Sequence, residues 1–350
     1  MKQNLLRSFF LIPVFFLCLS FSANAQYENA AQYLEHINKL NEALTAKYLA
    51  YLSAVSHGKS AKKVEKRRIE VVDAIGNTRS EVMGMPPWKG DRTLKDTTVA
   101  YLKLLNIVFN EDYSKIVNME EIAEQSYDAM EAYLLAQEKA YEKLNLAAEK
   151  KHEMQKKFAE KNNITLIDNE SELETKSKIV NEVMDHANAV YLIFFKAYKQ
   201  EAYMMDAVSK KNLVSLEQNI SSLKKVSAEG IEKLRDLKGY SNDGSLIAAC
   251  RRMMDYYDAE AAKGTVMTDY LLKEENFAKI KKQFDAKPAG KRTQQDIDQY
   301  NKAVNDINDA MNTFNSLMTT INKQATAALN DWNKTYNKYL DTYIPKQAKQ

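Results

Sequence analysis

The chain has 350 residues, 45% hydrophobic and 28% charged, with 9 Gly, 5 Pro and a formal net charge of +3. So few turn-formers exclude a many-stranded sandwich or barrel, and the apolar content excludes a disordered or collagen-like chain. Its 50 basic residues against 47 acidic ones lack the basic excess of a dedicated nucleic-acid binder.

Residues 1–25 read as a cleaved signal peptide. Lys2 and Arg7 form a basic start, residues 9–19 an apolar run, and Ala23-Asn24-Ala25 a small-x-small site before Gln26. The run is shorter than the ~20 residues that span a bilayer. Leu17 stands before Cys18 where a lipobox requires a small residue, which argues against a lipid anchor. No later apolar segment is long enough to span, so the expected mature chain is soluble and exported, with no transmembrane anchor. Its destination would be the periplasm or the outer cell surface. It keeps one cysteine, Cys250, which Leu246, Met253 and Tyr257 flank at helical spacing, as on a core seam.

The rest reads as long amphipathic helices. The first is expected over 27–57, stopped by Gly58, with Ser60 capping a second that runs to about 83. Gly84-Met85-Pro86-Pro87-Trp88-Lys89-Gly90 breaks it, and a third begins near Asp91 and fades around Asn110. The pair Asn118 and Glu121 has capping-box spacing and is expected to open a fourth helix ending at Asn162-Asn163. A second such pair, Ser171 and Glu174, opens a fifth. Further helices are expected over 212–237, 245–262 and 265–284, with turns at 239–244 and at Lys287-Pro288-Ala289-Gly290. In the last helix Ile297, Tyr300, Val304, Ile307, Met311, Phe314, Met318, Ile321, Ala325, Ala328, Trp332, Tyr336, Tyr339 and Tyr343 keep three-four spacing, as a heptad seam does.

Two stretches echo each other about 150 residues apart. Glu35-His36-Ile37-Asn38 matches Asp185-His186-Ala187-Asn188, Tyr48 matches Tyr198, and Lys89-Gly90 matches Lys238-Gly239. The expected fold is all-α: two tandem, duplicated four-helix-bundle-like units of long antiparallel helices, over 26–165 and 166–350. One segment, Ala189-Val190-Tyr191-Leu192-Ile193-Phe194-Phe195, is apolar all round. Burial between the two units explains it; a contact with a partner or a second copy is the other reading.

Chemical signatures are sparse. Gly58-Lys59-Ser60 has the ending of a phosphate-binding loop, but Ser53 stands where its first glycine belongs. Only Glu149 and His152 have di-metal carboxylate spacing, and one such pair cannot hold two metals. No catalytic or cofactor-binding residue is assigned. His36 and His186, at matching places in the repeat, are the candidates for a metal or ligand, although a hydrogen-bonded helix residue is the commoner role. The 20 tyrosines, Tyr101, Tyr127, Tyr133 and Tyr141 among them, suit bundle interiors with hydroxyls at the rim. Trp88 on its Pro86-Pro87 turn is either a recognition anchor or a plug for a bundle end. With Tyr191, Phe194 and Phe195, these three are the partner-binding candidates.

The stretch from His57 through Lys62-Lys63-Val64-Glu65-Lys66-Arg67-Arg68 resembles a family of uncharacterised, exported all-helical surface proteins of Gram-negative bacteria. Glu124-Gln125-Ser126-Tyr127-Asp128-Ala129-Met130-Glu131 and Tyr191-Leu192-Ile193-Phe194-Phe195-Lys196 add to the likeness, which brings no reaction and no functional residue. The expectation is a non-enzymatic envelope or cell-surface protein acting through helical surfaces on another protein or an envelope component. The alternative is a small-ligand or metal carrier using a bundle interior. A homo-oligomer is compatible with either, because a heptad seam can seal its own bundle or pair two chains.

Overall fold

The computed structural model of the chain describes residues 27–56, 60–166 and 172–345. The signal segment, the Gly58 stop, most of the Gly58-Lys59-Ser60 motif and the Ser171 cap lie outside the described residues. Among those described there are ten α-helices and no strand. They are α1 (Ala30–Ser56), α2 (Ala61–Gly84), α3 (Thr93–Ile107), α4 (Tyr113–Ala123) and α5 (Tyr127–Lys161). Then follow α6 (Glu172–Ser209), α7 (Leu213–Asp236), α8 (Ser245–Ala261), α9 (Gly264–Ala286) and α10 (Gln294–Tyr343). Among the described residues no helix is long and apolar enough to cross a membrane.

Two departures from the expected boundaries have local causes. The third helix does not fade at Asn110 but passes through a π turn, Val108–Asp112, into α4. A π turn frees a backbone carbonyl, and here Arg68 Nη1 donates to Phe109 O at 2.6 Å while Arg68 Nε and Nη2 hold Glu65. Phe109 and Tyr113 stack across the turn at 4.8 Å. Asn118 therefore lies inside α4, where it caps nothing. The break comes at 124–126, where Ser126 has the extended backbone of an N-cap and its hydroxyl accepts from Ala129 N at 3.1 Å. Lys199 of α6 donates to the Glu124 carbonyl at that helix end.

The turns before α3 and α8 share a geometry. Trp88 and Asp91 exchange two backbone hydrogen bonds around Lys89 and Gly90, both at positive φ, and the Asp91 carboxylate accepts from Thr93 N. Tyr240 and Asp243 bracket Ser241 and Asn242, again both at positive φ, and the Asp243 carboxylate accepts from Ser245 N. In these turns Gly90 corresponds to Asn242, not to Gly239 as the sequence match had it. Gly239 answers a different need: a Cβ there would lie 2.3 Å from the Asp243 carbonyl oxygen.

α6 is the central helix, packing on α1, α5, α7, α8 and α10, so one apolar core takes in residues from both 26–165 and 166–350. Val190, Phe194 and Phe195 are buried there, with Phe194 stacked on Trp332 of α10 at 4.5 Å. The cover is incomplete, because Leu192 and Ile193 are only half-buried.

α10 is about 75 Å long at 1.5 Å per residue, and Thr293 and Asp296 form the capping box that opens it. Near its C-terminus Trp332 and Tyr339 are buried and Tyr336 lies against Tyr191 of α6. Toward its N-terminus the seam turns. Ala303, Ile307, Ala310 and Ile321 are the buried residues, whereas Val304 and Met318 are half-buried and Met311 is 39% exposed. Aromatic pairs with α9 set this phase: Tyr270 stacks on Phe314 at 4.5 Å and Phe284 on Tyr300 at 4.4 Å. Lys211 pairs with Glu274, and from there to the Pro288 turn every residue of α9 is exposed or half-buried. α9 and α10 thus extend as a two-helix arm.

Candidate functional site

A groove of about 380 Å³ lies between the start of α5, α6 and α7. Leu192 and Ile193 of α6, Val226 of α7 and Leu237 just past its end give it an apolar floor about 16 Å long at the helical rise. The two helices approach closely because residue 230 is glycine: a Cβ there would meet Met254 Sδ at 2.7 Å and Ile193 Cγ2 at 3.1 Å.

Its rim is polar and internally held. Tyr127 OH donates to Glu131 at 2.8 Å, and burial, followed by that contact, pushes the phenol up to about 12. Lys196 Nζ sits 5.5 Å over the Tyr127 ring and 3.6 Å from Glu229. Such a rim orients a bound group by charge and hydrogen bonding, over a floor that gains by losing contact with water. The Ser126 cap fixes the first turn of α5 and with it the Tyr127 wall.

The residues singled out in the sequence are spread across the molecule. Trp88 is half-buried, its ring 5.8 Å from Tyr33 and its Nε1 donating to Asn162 Oδ1 at 2.9 Å, which ties the turn to the end of α5. Pro86 and Pro87 are exposed beside it. Phe194 and Phe195 are 5% and 2% exposed and present no surface to a second molecule, while Tyr191 is half-buried against Phe195. His36 lies on Tyr27 at the start of α1. His186 Nδ1 is 2.9 Å from Tyr339 OH, and its buried Nε2 has no hydrogen-bond partner. Burial lowers the imidazole pKa, against the pull of the Lys238 backbone and the Asp243 charge. No group of three or more His, Cys, Asp or Glu among the described residues could hold a metal ion. Glu149 and His152 face solvent. Cys250 is fully buried beneath Val190, and burial raises its thiol to about 12.

A buried carboxyl was not anticipated. Glu260 of α8 is 1% exposed, and apart from the neighbouring Tyr256 hydroxyl its oxygens have no hydrogen-bond partner. Burial, then the charge of Glu201 on α6, raises its pKa to about 8. Burial raises Glu201 as well. A signal for this was present, since Glu260 continues the spacing of Leu246, Cys250, Met253 and Tyr257. The groove had a signal too, because the all-apolar run of 189–195 supplies two of its floor residues.

No family model matches the chain, and neither a curated protein nor a solved structure matches it.

Proposed function

We propose that this chain is a non-enzymatic exported protein of the envelope or cell surface that acts through helical interaction surfaces. The α5–α6–α7 groove is the surface where it takes a segment of another protein or an envelope component. The observation that carries this reading is an apolar floor framed by a rim in which Lys196 is paired with Glu229 and Tyr127 with Glu131. That pattern suits adhesion of a partly apolar segment better than bond-making, which calls for a free nucleophile beside a base. The amino-terminal segment, with its basic start, short apolar run and small-x-small site, supports export. The shared turn geometry at 88–91 and 240–243 supports descent of 26–165 and 166–350 from one duplicated unit.

A photo-cross-linking residue at Lys233, on the groove, and one at Leu146, 67% exposed on α5, test the proposal in the native cell. The expected result is an adduct of discrete mass from position 233 alone, in the envelope or extracellular fraction, on a chain beginning at Gln26. Equal adducts from both positions, or none from 233, would count against the groove. A chain retained in the cytoplasm would count against export.

The second reading, a small-ligand or metal carrier, is favoured by one observation: the groove volume lies within the range of small-molecule sites. Native mass spectrometry of gently isolated protein separates the two. A constant extra mass on each chain supports the carrier, and a bare chain supports the interaction protein.

A further inference from the structure

We propose that the arm half of α10 carries a second seam, on which a second copy of this chain pairs in parallel register. Where α10 lies on α6, Trp332 and Tyr339 stand on one seven-residue row and Tyr336 and Tyr343 on the next. Followed toward the N-terminus, the first row continues as Ala325, Met318, Met311, Val304 and Ile297, apolar at every step. The second continues as Leu329 and then Asn322, Asn315, Asn308 and Asn301. Where α6 covers the stripe both rows are apolar; along the arm one row becomes asparagine at four successive steps.

A permanently buried stripe would keep both rows apolar, and a merely solvated one would not keep Ile, Val, Met and Met in line. Apolar residues alternating with Asn at three-four spacing form a coiled-coil seam of modest stability and defined register. The asparagine row is open: all four are exposed, with Ile297 37% and Met311 39% exposed and Val304 and Met318 half-buried beside them. α9 packs on the neighbouring side, through Tyr300 and Phe314.

The composition selects the occupant. A side-chain amide is both donor and acceptor, so an Asn in a seam is satisfied by another Asn at the same height. A parallel copy of α10 supplies one at all four rungs by symmetry, whereas an antiparallel copy sets each Asn against Ile, Val or Met. The flank that a copy would meet is Asp298, Asn305, Asn312, Thr319 and Thr326, with one charge in five residues. Two copies therefore approach without a row of like charges. The paired length, 297–322, is about 38 Å at the helical rise. Four amides in the seam make the association reversible.

The full mature chain is examined by sedimentation velocity over a range of concentrations, with the expectation of a mass that doubles as concentration rises. Asn308→Lys combined with Asn315→Lys places like charges at two rungs. It is expected to abolish the doubling while the thermal midpoint of the monomer holds, since both side chains are exposed. Asn308→Cys is expected to form a disulfide-linked dimer on air oxidation, with Cys250 too deeply buried to compete. A monomer at every concentration, or a dimer that survives the two lysines, would overturn the proposal. So would linkage between Asn301→Cys and Asn322→Cys chains without linkage through Asn308→Cys. None of these changes touches the α5–α6–α7 groove, so the outcome is independent of the function proposed for it.

Discussion

Replacing Glu260 with Gln tests the buried carboxyl through the pH dependence of stability. A carboxyl whose pKa rises from 4.5 to about 8 on folding binds its proton more tightly in the folded state. Its contribution is fully present below pH 4.5, falls as pH rises through the window to about 8, and is flat beyond. At 1.36 kcal/mol per pH unit the wild-type chain loses about 3 kcal/mol between pH 4.5 and 7, and about 5 kcal/mol by pH 8. Gln keeps the shape and the polar character of the neutral acid but does not titrate. Urea unfolding should therefore give the two chains similar stability at pH 5, and a Gln variant more stable by roughly 3–5 kcal/mol at pH 8.5. His186 contributes with the opposite sign, because its lowered pKa makes stability rise as pH climbs towards 6.5. It is common to both chains and cancels in the comparison. A wild-type stability that stays flat from pH 5 to 8.5, or a Gln variant with the wild-type slope, would refute the reasoning.

Two glycines should respond in opposite directions. Gly239→Ala drives a Cβ into the Asp243 backbone and is expected to cost about 2–3 kcal/mol, whereas Gly76→Ala, with nothing within 4 Å on α2, should gain about 0.5–1 kcal/mol; denaturant midpoints of both would settle the sign. Ser126→Ala should lose about 1 kcal/mol with its cap, while Asn118→Ala, exposed within α4, should be neutral or gain a few tenths. Equal losses from the two would mean that the break between α4 and α5 is misplaced.

Helix periodicity and breakers made most of the fold legible. Gly84 to Gly90, Asn162-Asn163 and Asn212 end or cap helices within a residue or two of their expected places. What escaped depends on partners distant in sequence. The π turn needs Arg68, forty-one residues before Phe109, to take the freed carbonyl. The phase of the α10 seam is settled by Tyr270 and Phe284 on α9, since both Met311 and Ala310 satisfy a three-four pattern and only packing chooses between them. In the groove, Leu192 and Ile193 were visible as part of an over-apolar helix. That they would stay half-open could not be read without knowing where α7 crosses α6. Glu260 stands on a core spacing, but a lone Glu is ordinarily solvated, so spacing alone does not bury it.

The position of α6 at the centre fixes an order of assembly. A chain synthesised from its N-terminus makes α1 to α5 first, yet the faces of α1 and α5 that pack on α6 wait for a helix that begins at Glu172. The pairing of α1 with α6 closes a loop of well over a hundred residues, and that of α6 with Trp332 nearly as many again. Contacts so distant along the chain slow the search for the native state, and the early helices must stay apart from other chains meanwhile. The Lys and Glu exposed along α2 and α5 keep that half-made protein dispersed.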